Sequence, residues 1–262
     1  PDAARERMEA YLADPVGVEH VERVARTKLA AAGADPDSWD SMDERTRHTF
    51  LAAFFAGGHD VIIGRRHFTD DAHDTTGLAG SGTLSVAEHR AYTRLAIHAM
   101  HNLYEANRWV RYVAVFQNWL RPAGASFDHL HKQLVGIDER GVTSQLELQK
   151  VRVNPNLYNE MAVDYAAYQG LLVASNEHAV AFAGFGHRYP TLEVYSTSAM
   201  PEPWLMSREE VDAVADLVHA LHAATGADVP SNEEWHHKPL DVDQPMPWHI
   251  TLKWRVSTLA GF

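Results

Sequence analysis

Three nitrogen-bearing side chains lie at alternate positions in the stretch "GASFDHLHKQLVGI", residues 124–137. They are His129, His131 and Gln133. Because side chains alternate between the two faces of a β-strand, this spacing predicts that all three share one face. A neutral imidazole is a competent nucleophile toward phosphorus, and an amide can donate to phosphoryl oxygens as charge develops on them. The pattern indicates chemistry at phosphorus, and the alternative is two polar histidines on a half-exposed strand.

The residues between these three are predicted to face the other way. Leu130, Lys132 and Leu134 share the opposite face of the strand. Since the lysine stem is apolar and its amine is charged, we expect Lys132 to snorkel, with its amine reaching solvent.

The elements that position this strand can be predicted from periodicity and capping signals. Residues 1–58 are predicted to be helical, and "HDVIIGRRHF" at 59–68 is predicted to be a short strand that leads into a basic turn. Ser85 and Glu88 form a capping box, which begins a helix of about twenty residues. Its predicted apolar face consists of Tyr92, Leu95, Ala99 and Leu103. A buried strand is predicted at 110–119, before the histidine strand.

The sequence of the second half of the chain predicts a similar series of strands and helices. A hairpin is predicted at 170–185, a strand at 191–197, and a helix from about Ser207. The inward positions of that helix are Val211, Val214, Leu217, Val218 and Leu221. "NEEWHHKPL" and "PWHITLKWRV" are predicted to be the last two strands.

The order strand–helix–strand–strand therefore occurs twice, over 59–137 and over 191–256. Asn118 precedes His129 by 11 positions and His131 by 13. His236 precedes Pro247 and His249 by the same 11 and 13 positions. The matching order and spacing predict an internal duplication, although hairpins come in few lengths.

Composition restricts the class of protein. The chain has 262 residues, of which 45% are hydrophobic and 22% charged, and this is typical of a globular protein. It has no cysteine, which excludes disulfides and thiolate metal ligands and favours a cytoplasmic location. The net charge of −12 argues against a nucleic-acid-binding surface. No apolar run approaches the length of a membrane span.

The segment "YVAVFQNW…AGASFDHLHKQLVG" resembles the active-site segment of the galactose-1-phosphate uridylyltransferase-like family, a double-domain branch of the histidine-triad superfamily. That family shows a strand ending in Phe-x-Asn, a Gly-x-Ser turn, and then His-x-His-x-Gln. The matching residues are Phe116, Asn118, Gly124, Ser126, His129, His131 and Gln133. Weaker similarity extends from about His59 to the C-terminus.

The resemblance implies an α+β fold made of two duplicated histidine-triad-like half-barrels, each a mixed or antiparallel sheet flanked by helices. The division expected is a helical N-terminal segment at 1–58, a first half at 59–150 that carries the histidine motif, and a second half at 151–262. A homodimer is the expected assembly.

The resemblance also implies roles for individual residues. His131 matches the histidine that takes the nucleotidyl group, and Gln133 matches the amide that holds the phosphate. Asn118 and Ser126 match phosphate-side contacts. The matching metal ligands are His67 and His129 for a structural zinc, and Glu147, His236 and His249 for a second site that takes Zn²⁺ or Fe²⁺. Local positive charge for the substrate is expected from Arg65, Arg66, Arg111, Arg121 and Lys132.

Several departures from the family pattern bear on these roles. Lys132 replaces a small residue and Leu130 replaces a proline. Pro247 stands where a histidine ligand is expected, so the second metal site is one ligand short. The family's N-terminal nucleotide-binding strand has no counterpart, and the chain ends at "LAGF", where the family continues. These departures indicate either a piece of a longer chain or a divergent branch.

The function expected is transfer of a UMP-like nucleoside monophosphate group from a nucleoside-diphosphate sugar to a sugar phosphate, through a covalent histidine intermediate. The partners expected are a nucleotide or nucleotide-sugar, and neither nucleic acid nor a membrane. Alternatives are a dinucleotide phosphorylase or hydrolase of the same superfamily, a catalytically degenerate nucleotide-binding member, and a two-histidine phosphoesterase. The last would use "HFT" at 67–69 and "WHIT" at 248–251, with His67 and His249 across a common pocket.

Overall fold

The structure is a computed structural model that describes residues 2–55, 58–74, 77–107, 110–137 and 139–255. The C-terminal "LAGF" lies outside these residues.

The N-terminal segment is helical, as predicted. Its helices are α1 (Asp2–Leu12), α2 (Pro15–Ala31), α3 (Ser38–Ser41) and α4 (Glu44–Phe55). The side chain of Asp14 accepts a hydrogen bond from the backbone N–H of Val16 at 2.9 Å and so caps α2, whose first residue is Pro15. Proline suits a first helical position, where its missing N–H would have had no intrahelical partner.

Eight strands form one sheet in the described part of the chain. In sequence order they are β1 (His59–Ile63), β2 (Tyr112–Trp119), β3 (His131–Ile137), β4 (Leu172–Ser175), β5 (Ala179–Ala183), β6 (Thr191–Ser196), β7 (Ser231–His236) and β8 (His249–Trp254). Their order across the sheet is β1-β3-β2-β7-β8-β6-β5-β4, and every pairing is antiparallel. The fold is thus α+β, with a continuous antiparallel sheet.

Two long helices, α5 (Val86–Ala106) and α8 (Arg208–Thr225), cover one face of this sheet. Ser85 and Ser207 begin them with capping boxes; the sequence predicted the first box, and for the second helix only a start near Ser207. The five predicted inward positions of α8 are buried. Leu95 of α5 was assigned to the wrong face, since it is 50% exposed. It lies about 100° around the helix from the fully buried Ala96, at the edge of the apolar stripe.

The opposite face of the sheet carries a second run of helical elements. There α6 (Val142–Val153), a π-helical turn (Asn159–Val163) and α7 (Asp164–Tyr168) follow one another along the chain. Residues of the turn and of α7 pack with β5 and β6 in a small cluster that includes Ala166, Val163 and Phe182. The expected boundary at residue 150 falls within α6.

The pairing within the two halves follows one pattern. In the first half β3 lies between β1 and β2, and in the second β8 lies between β6 and β7. Phe116 pairs with Gln133, and the residues 118 positions later, Glu234 and Thr251, also pair. Likewise Ile63 pairs with His131, and Tyr195 pairs with His249. The 11- and 13-residue spacings in the sequence therefore correspond to the same strand register.

Among the described residues no helix is both long enough and apolar enough to cross a lipid bilayer.

Candidate active site

His131 is the first residue of β3, and its ring is held by a backbone contact. Its Nδ1 lies 2.7 Å from the carbonyl oxygen of His129, to which it donates. Its Nε2 is buried and has no hydrogen-bond partner. Since Nδ1 carries the proton in this tautomer, the Nε2 of the neutral ring carries a free lone pair. This is the orientation that a histidine nucleophile requires.

Gln133 and Asn118 lie on the same face of the sheet as His131. Gln133 is two residues along β3, and it pairs with Phe116 of the neighbouring strand, two residues before Asn118. The Oδ1 of Asn118 accepts from Asn232 at 2.6 Å, which leaves its Nδ2 with one long contact of 3.5 Å to the carbonyl of Gly124. The amide N–H groups of Asn118 are therefore available to a phosphate.

The loop between β2 and β3 shapes the surroundings of His131. Gly124 has a φ of +90°, a left-handed conformation that favours glycine, so the Gly-x-Ser turn depends on this residue. Leu120 has a positive φ of 65°, which is strained for a leucine. Ser126 is exposed in this loop. The Phe127 ring stacks on the His131 ring at 4.0 Å, and His131 is consequently only 2% exposed.

His129 does not lie on the strand, contrary to the prediction. The strand begins at His131. The Nε2 of His129 lies 2.7 Å from the carbonyl oxygen of Gly64, with which it forms a hydrogen bond. Gly64 donates its N–H to the carbonyl of Leu130, and its own carbonyl accepts from the His129 ring. Within β3 the residues that alternate on the open face are His131, Gln133, Val135 and Ile137.

Replacing His129 tests its structural part. We expect His129→Asn to lower the free energy of unfolding by about 1 kcal/mol, because the shorter side chain loses the bond to Gly64. The His131 ring should keep its orientation, since it bonds the backbone carbonyl of residue 129. Urea unfolding together with transfer rates checks this: a rate loss as large as that of a His131 variant would contradict it.

The first pair of expected zinc ligands lies together but is not arranged for an ion. The rings of His67 and His129 stack at 4.3 Å with their planes 17° apart. The Nε2 of His67 is 2.9 Å from the carbonyl oxygen of Asp128. The Nε2 of His129 is likewise bonded to a backbone carbonyl, that of Gly64. Ring lone pairs lie in the ring planes, so nearly parallel planes do not converge on one metal.

The second expected set shows the same feature. The rings of His236 and His249 stack at 4.7 Å with planes 9° apart, and Nδ1 of His249 is 3.0 Å from the carbonyl of Pro247. Glu147 instead accepts from the hydroxyl of Tyr158 at 3.1 Å. Within the described residues no group of three or more His, Cys, Asp or Glu side chains is placed to hold a metal ion. As placed, neither set fits zinc or iron, and bound metal stays a prediction of the resemblance.

The environment of the second set disfavours charge on its histidines. Burial, with smaller effects from Lys253 and His237, lowers the pKa of His236 to about 4. Burial and the neighbouring His236 also lower the pKa of His249. Burial raises the pKa of Glu147, although the bond from Tyr158 opposes it. These groups are therefore neutral imidazoles beside a partly desolvated carboxyl group.

Lys132 is not a surface lysine, and the predicted snorkelling is wrong. Its side chain is 1% exposed and lies on the helix-covered face, away from His131. Its Nζ donates to Glu233 at 2.5 Å and to Gln117 at 3.1 Å. The amine also lies 5.1 Å from the ring centre of Tyr92. Its charge is compensated inside the core, so this structure gives it no contact with a phosphate near His131.

The other basic residues differ in whether carboxylates already pair with them. Arg66 bonds Asp70 and Glu88, Arg111 lies 3.9 Å from Asp241, and Arg121 lies 3.7 Å from Asp128. Arg65 is exposed two residues after Ile63, which pairs with His131, and no carboxylate pairs with it in the part of the chain that the structure describes. Of the predicted cations, Arg65 is the best placed for a substrate phosphate.

A cavity of about 380 Å³ opens beside these residues, on the same face of the sheet. It begins at Phe116 and Asn118 and extends across β7 and β8 to Glu147, His236 and His249. His131, Gln133 and Ser126 do not line it, and the ring of Phe127 covers His131. The candidate nucleophile therefore lies beside the cavity, under Phe127.

The structure does not bring His67 and His249 together. His249 lines the cavity, whereas His67 follows β1, and three strands separate β1 from β8. The two-histidine phosphoesterase lacks the arrangement that it needs.

Sequence reasoning missed several residues of this region. Asn232 bonds Asn118 and the carbonyl of Ala123, and its partner loop is 109 residues away, so no local signal marks it. Phe127 stands in the motif itself but gave no sign of covering the nucleophile. His237 follows His236 directly, and a doubled histidine at a strand end was the signal that could have found it.

Solved structures share this fold at low sequence identity. A uridylyltransferase is 18% identical, with a TM-score of 0.61 over 76% of this chain and 64% of that chain. An ADP-glucose phosphorylase from Arabidopsis thaliana, solved with bound ADP-glucose, is 17% identical, with a TM-score of 0.63 over 78% and 66% of the two chains. A GalT-like protein from the same plant is 16% identical, with a TM-score of 0.61 over 78% and 76%.

These likenesses confirm, at the level of the fold, the similarity to the galactose-1-phosphate uridylyltransferase-like branch. The chain spans 64% of the length of the uridylyltransferase. No curated protein sequence matches it. The family profile described as "Domain of unknown function (DUF4921)" matches residues 1–262, and the chain belongs to that family.

Proposed function

We propose that the protein transfers a UMP-like nucleoside monophosphate group from a nucleoside-diphosphate sugar to a sugar phosphate, with His131 as the covalent nucleophile. The observation that carries this proposal is the state of the His131 ring. Nδ1 is fixed by the carbonyl of His129, and Nε2 is desolvated without a partner. A buried ring nitrogen kept free in this way is costly unless a ligand uses it.

In the proposed first step the Nε2 lone pair attacks the α-phosphorus of the substrate. A phosphorus–nitrogen bond forms, the bond from phosphorus to the bridging oxygen breaks, and the sugar phosphate leaves with that electron pair. In the second step a phosphate oxygen of the acceptor attacks the same phosphorus and returns the electron pair to Nε2. Nδ1–H donates to the carbonyl of His129 throughout, which stabilises positive charge on the ring.

The same-face residues would hold the phosphate during these steps. Gln133 would donate from its amide to a non-bridging oxygen, and Asn118 would donate from its Nδ2. Arg65, after β1, would supply the positive charge, and Ser126 would contact the phosphate from the loop. We infer that the loop carrying Phe127 moves aside to admit the substrate, since its ring covers His131.

Neither step uses a metal ion, because neither expected ligand set fits one. Zinc or iron remains a prediction of the resemblance that elemental analysis of the purified protein tests.

The decisive experiment is trapping of the intermediate. The protein is incubated with nucleoside-diphosphate sugars that carry radiolabel in the α-phosphate, and we expect acid-labile, base-stable label on the protein. A catalytically degenerate nucleotide-binding protein would bind the substrate reversibly and take no label. Absence of label with every common nucleoside-diphosphate sugar would contradict the proposal.

A phosphorylase is the second candidate, favoured by the shared fold with ADP-glucose phosphorylase. It would form the same histidine intermediate but pass the nucleotidyl group to inorganic phosphate. Chasing the labelled protein with sugar phosphate or with inorganic phosphate distinguishes the two, because only the true acceptor removes the label rapidly.

Gln133 gives a graded test of the phosphate contact. We expect Gln133→Ala to slow nucleotidyl transfer by about 10²-fold, as loss of one oxyanion donor does. Val135→Ala is the matched control, since it lies two residues along the same face of β3 and faces Ala114 rather than a phosphate. Single-turnover rates measure the effect, and equal rates for both variants would exclude the proposed role.

We also propose that two groups of three adjacent strands, β1-β3-β2 and β6-β8-β7, arose by internal duplication. The support is their common order and the register that repeats after 118 positions, from His131 to His249. Superposition of 59–137 on 191–255 tests this. The divisions at residues 58 and 150, the homodimer and the cytoplasmic location are further proposals, which limited proteolysis, sedimentation and cell fractionation test.

A further inference from the structure

The cavity beside the active site has a chemical character that differs from a phosphate site. Two carboxylates line it, Glu147 and Glu234, and none of its lining residues within the described ranges is Lys or Arg. Glu234 is paired with Lys253 at 2.5 Å, whereas Glu147 accepts from the hydroxyl of Tyr158 and has the charge of Lys150, which does not line the cavity, in its surroundings. An anion in this cavity would meet two carboxylates and no lining Lys or Arg, so the cavity does not suit a phosphate.

The cavity also holds unused hydrogen-bonding groups. His237 is 3% exposed, and its Nε2 lies 3.0 Å from the hydroxyl of Tyr104. That hydroxyl also accepts the backbone N–H of Val113, and when it donates its own proton to Nε2 the proton of His237 stands on Nδ1. Nδ1 is buried without a partner, and so is the hydroxyl of Ser144. The Nδ1 of His237 and the hydroxyl of Ser144 are therefore two hydrogen-bond donors at the wall of the cavity without an acceptor.

The remaining surface of the cavity suits a ring. Phe116, Tyr112 and Trp235 line it together with aliphatic side chains, and the volume of about 380 Å³ lies within the range of small-ligand sites. An uncharged ring with N–H or O–H groups for Glu147 and an acceptor for His237 or Ser144 would satisfy all of these groups. Nucleosides and hexoses both have this chemistry.

The position of the cavity relates it to the reaction. Asn118 lines its near end and lies on the same face as His131, one strand away. The cavity extends across β7, two strands from the His131 strand, which corresponds to about 10 Å.

We propose that this cavity binds the uncharged ring of the substrate, either the nucleoside or the sugar, while the phosphate lies outside it against His131 and Gln133. The inference rests on the proposed function in taking the ring to be part of a nucleotide-sugar. It assigns to Glu147 and His237 the recognition of a neutral ligand, in place of the metal that the family resemblance implies for Glu147.

Direct binding measurements on the full chain test this without turnover. The probes are the four common ribonucleosides, glucose and galactose, and inorganic phosphate, each titrated to millimolar concentration by ligand-observed NMR. We expect a nucleoside or a hexose to bind and inorganic phosphate not to displace it. Nucleoside binding assigns the cavity to the base side of the substrate, and hexose binding assigns it to the sugar side.

Variants locate the binding in the cavity. Ala114→Phe fills it from β2 and should abolish binding, whereas the same change at the exposed Ala220, on the outer side of α8, should leave it unchanged. Glu147→Gln keeps the bond from Tyr158 but removes the charge, and should weaken binding by about tenfold. Ser144→Ala, which breaks no existing bond, should weaken it by several-fold.

Three outcomes would overturn the inference: no neutral probe binds, inorganic phosphate displaces the bound probe, or Ala114→Phe binds as the wild type does. Failure of the proposed function gives a different result, because the protein would then take no label from a nucleotide-sugar while its binding of the neutral ring persists.

Discussion

We expect His131→Asn to reduce nucleotidyl transfer by about 10⁶-fold, the loss that typically follows removal of a covalent nucleophile. Asparagine has no ring nitrogen that could form a bond to phosphorus, so the protein should also take no acid-labile label. The variant should fold, because the contacts that it loses are one bond to the carbonyl of His129 and the stacking on the exposed Phe127. Rapid-quench rates and label incorporation measure the effect.

His249 provides a matched comparison within the same chain. It too is the first residue of a strand, and its Nδ1 also bonds the carbonyl two residues before it. Its ring, however, is stacked between Tyr195 and His236, which cover both of its faces. We expect His249→Asn to retain the covalent label and to bind substrate less tightly, because His249 lines the cavity. Label lost in His249→Asn and kept in His131→Asn would show that the other half carries the chemistry.

The open face of the first half could largely be predicted from the sequence. Alternation placed His131 and Gln133 on one side of a strand, and the capping box at Ser85 set the start of the helix behind it. These signals are local, since they depend on residues two to four positions apart. The repeated spacing around His236 also anticipated that the second half has the same strand register.

The residues that the sequence failed to place are those fixed by distant partners. The burial of Lys132 depends on Glu233, 101 residues later in the chain, and no local pattern reveals that pairing. His129 lies outside the strand, and its ring bonds the carbonyl of Gly64, which is 65 residues earlier in the chain. Stacking of His236 on His249 likewise appears only once β7 and β8 pair. Hence the metal sites, which need several distant side chains to converge, were the weakest part of the sequence prediction.

The buried network around Lys132 joins the two halves directly beneath the active-site strand. Glu233 of β7 accepts from Lys132 of β3, from the indole N–H of Trp235 at 2.5 Å and from His222 of α8 at 2.8 Å. Burial alone would raise the pKa of Glu233, but the Lys132 ammonium and the His222 bond outweigh it and hold the pKa below its ordinary value. The carboxylate is therefore charged and fully hydrogen-bonded at neutral pH.

This arrangement makes the stability of the protein depend on pH in a defined direction. Because the folded-state pKa of Glu233 is lowered, its contribution is fully present above the unfolded-state value of about 4.3. The contribution is lost as pH falls through the lowered folded-state pKa. We expect Glu233→Gln to remove this part of the acid sensitivity.

Breaking the pair from one side should be among the most destabilising changes in the chain. We expect Lys132→Met and Glu233→Gln each to lower the free energy of unfolding by about 3–5 kcal/mol, because each leaves a charged partner buried without its counter-ion. The double variant Lys132→Met/Glu233→Gln should regain much of that loss, since it leaves no unpaired charge, and the two changes should therefore be strongly non-additive. Urea denaturation of the wild type, both single variants and the double variant gives the coupling free energy. Additive losses, or a single variant within about 1 kcal/mol of the wild type, would mean that the pair does not hold β3 to β7. Since Lys132 stands between His131 and Gln133, a loosened strand should also slow transfer in the single variants, and the double variant should recover rate together with stability.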